Sequence, residues 1–503
     1  MERMQVRLYQ RDFSERIQIS PALQVERLTW KALGGPAEAV LTGSSLPTQD
    51  LTSRAAEWAA DTLGVPVTVT NQTGENAWWG YVERVEIQQN GLQLVYDLAE
   101  MANRVCVEFW QPEPQLEWTG ARTFTAWADD LDSQRIFGVK ERFFTLRSMD
   151  ESEAIQARDA LLAQHCRPLP QVRQVAANEK AARLRLVCRG WWQTLQWRMA
   201  CFNDGYQGLV LPGQTTQNLG RGAAADARIA QSFQTTYGGW LCGEAVVNIK
   251  SVGSNTDQVI CELCADASGV PGTTLASAAV DASVVSKLRW WVKFLFGTRP
   301  SILANTPYWL VFSRSGALST ANFYQLYTDA ANSYLPGKLM FWNGSAWLDA
   351  GSGSTDINFY TTGFISRLSR MQQLAAVDRG GQFLTGLQVN SPVSGDTLLW
   401  RQGRQDCQSE LADLLVQGDS SGSPLQAVVE ADRRLAIHSQ PAENDWQFTL
   451  DNQGTLRTRS GREVCSHDLP AGQRVHLANG WLETYPLIEA AAWSPQDGLR
   501  VSW

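Results

Sequence analysis

Short apolar runs broken by Gly, Pro, Ser, Asn and Asp dominate the middle of this chain, from about Ile229 to Phe364. Runs such as Val259-Ile-Cys-Glu-Leu-Cys264 and Thr306-Pro-Tyr-Trp-Leu-Val-Phe312 have strand length, and the small polar residues between them supply turns. Many short strands at this spacing predict a self-contained antiparallel β-sandwich. Phe341-Trp-Asn-Gly-Ser-Ala-Trp347 predicts a hairpin, because Asn-Gly suits a type I′ turn with φ > 0 at both central positions.

The flanks carry a different pattern. Gln24–Trp30, Val65–Thr70, Trp78–Ile87 and Leu92–Tyr96 read as strands. Val82, Val85 and Ile87 break strict alternation, which places a bulge near Glu83-Arg84. Leu51–Leu63 reads as a helix capped by Asp50 and stopped by Gly64. Ser148-Met-Asp-Glu151 has the spacing of a capping box and opens a helix that ends near Cys166, before Pro168. Asn203–Gly222, rich in Gly and Gln, reads as a linker into the sandwich. Beyond it, Ser366 caps a helix closed by Gly380-Gly381, and a second helix spans Cys407–Val416 and stops at Gly418. The strands Leu425–Val429, Arg434–His438 and Trp446–Leu450 follow.

The fold class is therefore mainly β with minor α. The domains are 1–115, β-barrel-like; 116–203, mixed α/β; 225–364, an inserted sandwich; and 365–503, two helices and strands. A length of 503 residues suits roughly three to four domains. Apolar residues at 44% and charged residues at 19% fit folded protein. The net charge of −8, without a basic stripe, argues against sequence-specific nucleic-acid binding. No apolar run has the length of a membrane span, and the N-terminus lacks a signal-peptide core, so the chain is expected to be soluble when made.

The chemical motifs are weak. Nine cysteines make an odd, scattered set and predict no disulfide framework. Cys261 and Cys264 form a CxxC, but on a strand they point to opposite faces and cannot share a metal. His165, His438, His467 and His476 show no metal-ligand spacing, so no cofactor or metal is expected. Asp129-Asp-Leu-Asp132 lacks the pattern of a calcium loop and reads as a solvated loop or helix start.

Gln417-Gly-Asp-Ser-Ser-Gly-Ser-Pro424 looks like the nucleophile segment of chymotrypsin-like proteases, and Leu162-Ala-Gln-His-Cys166 echoes their His segment. Val416 and Ser421 depart from that pattern, and a helix-stopping turn is the simpler reading. No catalytic residue and no enzyme activity are expected. The remaining candidates are aromatic: Trp240, Tyr308, Trp309, Trp342 and Trp347, whose rings could stack on a sugar face. Against this stands the commoner fate of large rings, which is to fill a core.

Several segments together resemble known proteins. Ile229-Ala-Gln-Ser-Phe233, Ser268-Gly-Val-Pro-Gly272, Thr306-Pro-Tyr-Trp309 and Asp356-Ile-Asn-Phe359 are similar to jelly-roll modules of phage and bacterial surface proteins. Trp78–Ile87, Phe137-Gly-Val-Lys-Glu141, Gln156–Leu162, Cys188–Leu195 and Val428–Leu435 resemble tailed-phage or prophage tail hub proteins, of the baseplate-hub or tail-tip type. The resemblance implies tail-tube-like β-barrel domains, with a homotrimeric ring closing the tail tube. The implied partners are distal tail and tape-measure proteins, tail fibre or tip proteins, and host surface glycans. The implied location is the virion tail tip after synthesis in the host cytoplasm. The alternative is a glycan-binding or glycan-processing cell-surface protein.

Overall fold

The computed structural model describes the chain outside residues 1–3, 15, 18–22, 44–53, 90, 112–120, 148–149, 176–182, 201–205, 210–214, 236–238, 330–333, 335, 351–354, 400–404, 442–447, 452, 466–467, 469–470, 479–482, 485 and 503. The protein is mainly β, built from several largely antiparallel sheets. It divides into two compact units. The first comprises Met1–Ala200, Met371–Ser394 and Arg404–Trp503; the second comprises Cys201–Arg370 and Gly395–Gly403.

The first unit is organised on an eleven-stranded sheet. Its main path runs Arg16–Ile17, Gln5–Tyr9, Pro66–Thr70, Asn76–Gln89, Arg183–Arg189, Gly35–Gly43, Gln24–Lys31, Ala490–Ser494 and Gly498–Ser502. Leu92–Asp97 branches from Asn76–Gln89 and carries Gln171–Gln174 at its outer side. The strand Ala490–Ser494 from the far end of the chain thus pairs with Gln24–Lys31. Among the described residues no sheet closes on itself, so they form no closed barrel. Closure would require the end strands to pair, and among the described residues Arg16–Ile17 and Gly498–Ser502 each pair only inward.

The bulge falls where the broken alternation put it. Val187 faces Arg84 while Cys188 faces Val82, leaving Glu83 as the extra residue. Its carbonyl accepts from the Leu98 amide, and its carboxylate accepts from Arg189 Nε at 2.7 Å.

The helices follow local chemistry. Arg54–Thr62 is helical and Gly64 adopts φ 75°, while the expected cap Asp50 lies outside the described residues. The capping box sits two residues later than expected. Asp150 accepts from the Glu153 amide and Glu153 returns the bond, opening Glu151–His165. An Asp carboxylate fills the role assigned to Ser148, which is outside the described residues. Asp130 caps Leu131–Phe137, so the acidic cluster is a helix start. Cys407–Val416 is helical as expected, with Asp406 as its cap.

The second unit contains two antiparallel sheets. The nine-stranded sheet runs Tyr206–Leu209, Phe359–Ser366, Trp240–Val252, Phe323–Asp329 and Thr215–Leu219, with four further strands attached, among them Trp290–Leu295. The six-stranded sheet runs Pro271–Asp281, Gln258–Asp266, Tyr308–Arg314, Arg228–Phe233, Leu339–Trp342 and Trp347–Asp349. One core joins them: Val247, Phe294 and Phe359 from the first sheet pack with Cys261, Leu310 and Phe312 from the second. Tyr206–Leu209 and Thr215–Leu219 lie in the segment read as a linker, and both are strands. Their Gly and Gln content conceals ladder pairing with Phe359–Ser366 and Phe323–Asp329.

Candidate functional site

Three of the five expected glycan-stacking rings are core residues. Trp240 is 1% exposed and packs in the shared core. Tyr308, also buried, stacks on Phe233 at 5.9 Å, and its hydroxyl accepts from the Leu303 amide at 3.1 Å. Trp309 is 1% exposed; its Nε1 donates to Asp266 at 2.8 Å while Lys338 lies 5.7 Å from the ring. The cause is that Tyr308–Arg314 lies between two strands, and its first five residues are buried on both faces. These rings cannot meet a sugar without opening the sheet.

Trp342 and Trp347 lie elsewhere. They face each other across the hairpin with ring centroids 5.5 Å apart at 63°, and both are half-buried. The hairpin forms with a different turn. Four residues, Asn343–Ala346, make the loop, and Asn343 Oδ1 accepts from the Ser345 and Ala346 amides. Only Gly344 of this loop has positive φ, so it is not the two-residue type I′ turn. Beside the pair, Arg228 sits 5.7 Å from the Trp347 ring and bonds Glu262 at 2.8 Å. Trp347 also packs against the small cluster containing Trp309, so part of its face braces the sheet.

Cys261 and Cys264 sit in different apolar clusters, as strand alternation requires. Burial pushes both thiols up. Among the described residues no group of His, Cys, Asp or Glu has the arrangement to hold a metal.

The protease-like segment is a turn. Gly418 takes φ 75° directly after the helix. Asp419 Oδ1 accepts from Ser421 Oγ and from the Ser421 and Ser423 amides, and its Oδ2 accepts from Ser439 Oγ. The Ser421 and Ser439 hydroxyls hold this carboxylate well below its usual range. His165, at the end of its helix, directs Nδ1 to the Glu100 carbonyl at 3.1 Å. His438 is pulled down by burial, and His467 lies outside the described residues. A nucleophile needs a histidine oriented by a carboxylate. Here the Asp419 carboxylate bonds serine hydroxyls and amides, and His165 bonds a backbone carbonyl.

The first unit also holds a cavity of about 400 Å³ lined by Glu83, Lys140, Arg142, Gln196, Trp197 and Asp406, among others. Lys140 is 7% exposed, donates to the Leu98 carbonyl and lies 4.6 Å from the Trp197 ring. Burial lowers its amine to about 8. Only its place in Phe137-Gly-Val-Lys-Glu141 marked this lysine in the sequence. Aromatic residues on the outer side of the nine-stranded sheet were likewise missed; the alternation of Trp290-Trp-Val-Lys-Phe-Leu295 was the available signal.

No family model matches this sequence, and no curated protein is similar to it in sequence. Distant likeness exists among solved structures. A clostridial cysteine protease, Cwp84, after propeptide cleavage aligns over 39% of this chain and 45% of its own, at 11% identity and TM-score 0.24. A glycoside hydrolase family 43 arabinoxylan arabinofuranohydrolase from Bacillus subtilis aligns over 58% and 63%, at 11% identity and TM-score 0.15. The Cry4Aa toxin from Bacillus thuringiensis aligns over 65% and 56%, at 8% identity and TM-score 0.16. This chain spans less than two-thirds of the length of each of these. Superposition this poor supports no functional argument.

Proposed function

We propose that this chain is a structural protein of a tailed-phage tail tip, a hub of which three copies close the tail tube. In this reading the second unit is its contact module for surfaces or partner proteins. The resemblance of the flanking segments motivates the reading, and one structural observation carries it. A branch of the eleven-stranded sheet ends in an edge strand: all four residues of Gln171–Gln174 are exposed, and among the described residues the strand pairs only with Leu92–Asp97. Val172 is 66% exposed, as are Leu92, the register partner of Gln174, at 55% and Leu169, three residues before Val172, at 65%. An open strand edge is a template for pairing with another chain, and this one carries Val172 between the polar Gln171, Arg173 and Gln174. A closed cyclic ring satisfies every edge with the same contact. The tube is then completed between copies rather than inside one.

The partners in this reading are distal tail, tape-measure and fibre or tip proteins, and the location is the virion. A reconstruction of a tail carrying this chain, with the first unit placed in the density, tests it. Three copies around the tube axis at the tip are expected; absence from the tip overturns the reading. The second reading, a glycan-binding protein acting alone, is favoured by the half-buried Trp342–Trp347 pair.

A further inference from the structure

The strand Trp290–Leu295 is an edge of the nine-stranded sheet. Among the described residues it pairs only with Trp240–Val252, with Leu295 opposite Glu244 and Trp290 opposite Ile249. In the same register the Phe296 amide donates to the Gly243 carbonyl at 2.9 Å. Backbone groups alternate sides along an antiparallel strand, so Trp290, Val292 and Phe294 also turn theirs toward Trp240–Val252. The alternation holds on the partner strand, where the Asn248 amide turns away and donates to the Asn358 carbonyl. The N–H and C=O groups of Trp291, Lys293 and Leu295 therefore point to the open side, and among the described residues no strand pairs with them.

The side chains divide by face. Val292 and Phe294 enter the shared core, while Trp291, Lys293 and Leu295 lie on the outer side. Apolar surface stays uncovered along this edge: Trp290 is 66% exposed, Leu295 67% and Leu288, just before the strand, 77%. Exposed apolar groups beside an open ladder make it a template for another strand. Charge selects which strand. From Val285 to Pro300 the chain carries Lys287, Arg289, Lys293 and Arg299 and no carboxylate. Glu244 lies 2.9 Å from Lys293, Asp396 lies 3.7 Å from Arg299, and Arg289 is directed to Asn248 and the Tyr327 ring. The Lys293 side chain remains 53% exposed. Its ammonium has three donors, so one carboxylate does not saturate it.

A second copy of this strand fits poorly, since antiparallel pairing centred on Lys293 sets two ammonium groups opposite each other on one face. An acidic strand has the reverse relation. Its residue opposite Lys293 falls on the outer side beside the ammonium, and its residues two positions to either side fall beside Trp291 and Leu295. We infer that Trp290–Leu295 takes up an extended acidic segment of a partner protein as an added strand, with a carboxylate set against Lys293 and apolar side chains against Trp291 and Leu295. Ladder hydrogen bonds supply the affinity and the side-chain alternation the selectivity. The inference rests on the reading of the second unit as a contact module and names the chemistry of the partner it contacts.

Fluorescence anisotropy of labelled synthetic peptides with the full chain tests it. One peptide has a central glutamate, valine two positions to either side and threonine elsewhere; a second has lysine in place of the glutamate. The glutamate peptide is expected to bind about tenfold more tightly, because attraction opposite Lys293 becomes repulsion. N-methylation of one alternate set of its amides should abolish binding and methylation of the other set should not, since only one edge of the peptide meets the sheet. Lys293→Glu should reverse the preference between the two peptides. Leu295→Pro removes an outward N–H without breaking the existing ladder and should weaken both. An unchanged thermal transition shows that each variant is folded; if Leu295→Pro melts lower, Lys293→Glu, which leaves the backbone as it is, decides. Equal binding of the two peptides, an unchanged preference in Lys293→Glu, equal tolerance of both methylated sets, or no binding of either peptide would overturn the inference. A monomer that binds the glutamate peptide would remove the hub and keep this edge, whereas a trimer that binds neither peptide would do the reverse.

Discussion

Trp79 Nε1 donates to the backbone carbonyl of Val429 at 2.8 Å, joining residues 350 positions apart within the first unit. Both residues are buried. Gly34 forms a backbone bridge to Val428 beside it, and Phe383 packs on Trp191 and Trp197. The early and late parts of the chain therefore share one interior. Trp79→Phe keeps a ring but leaves the Val429 carbonyl without this donor. The expected loss is about 1–3 kcal/mol, read as a lower urea midpoint in fluorescence-detected unfolding.

The second unit defines where the chain can be cut. Tyr206–Leu209 and Asp396–Leu399 both pair with Phe359–Ser366, and Thr215–Leu219 pairs with Phe323–Asp329. Removing 225–364 takes away almost all of those partners and exposes orphan strands. Removing 203–369 with a short Gly/Ser join takes the early strands along. The longer deletion is expected to give a soluble remainder with a cooperative melt, and the shorter one a lower soluble yield. Equal yields would contradict the strand assignment.

Acidity should stabilise the second unit. Asp356 is fully buried and accepts from Gln231 Nε2 at 2.8 Å, and burial pushes its carboxyl up to about 6. Its folded pKa lies above the unfolded one near 3.8, so the folded state holds the proton more tightly. This contribution is full below about pH 4 and is lost as pH rises through 6. The second unit's thermal transition is expected to fall between about pH 4 and 6, and Asp356→Asn to flatten that slope. An unchanged slope in the variant would assign the dependence to other groups.

Ser420 should be inert. Its backbone amide bonds the Pro392 carbonyl, and the neighbouring Asp419 carboxylate is spent on Ser421, Ser423 and Ser439. A fluorophosphonate probe is expected to leave the chain unlabelled, and Ser420→Ala to melt within about 0.5 kcal/mol of the parent. Stoichiometric labelling at Ser420 would reverse this.

Local chemistry made much of the fold legible. The helix Cys407–Val416, its Gly418 stop and the bulge at Glu83 followed from caps, positive φ and broken alternation. What escaped was set by long-range pairing. Tyr206–Leu209 and Thr215–Leu219 look like linker because their strand character comes from partners more than 100 residues away. Trp309 looked available because a hydrophobic run does not reveal that a strand is covered on both faces.

Multi-angle light scattering of the purified chain mixed with its tail partners measures assembly directly, and Val172→Lys at the exposed edge strand provides the control. A particle containing three copies of the chain is expected, and monomers when Val172 is replaced by lysine, because the edge loses its exposed apolar residue and gains a second charge beside Arg173. A parent chain that stays monomeric in that mixture would contradict threefold assembly.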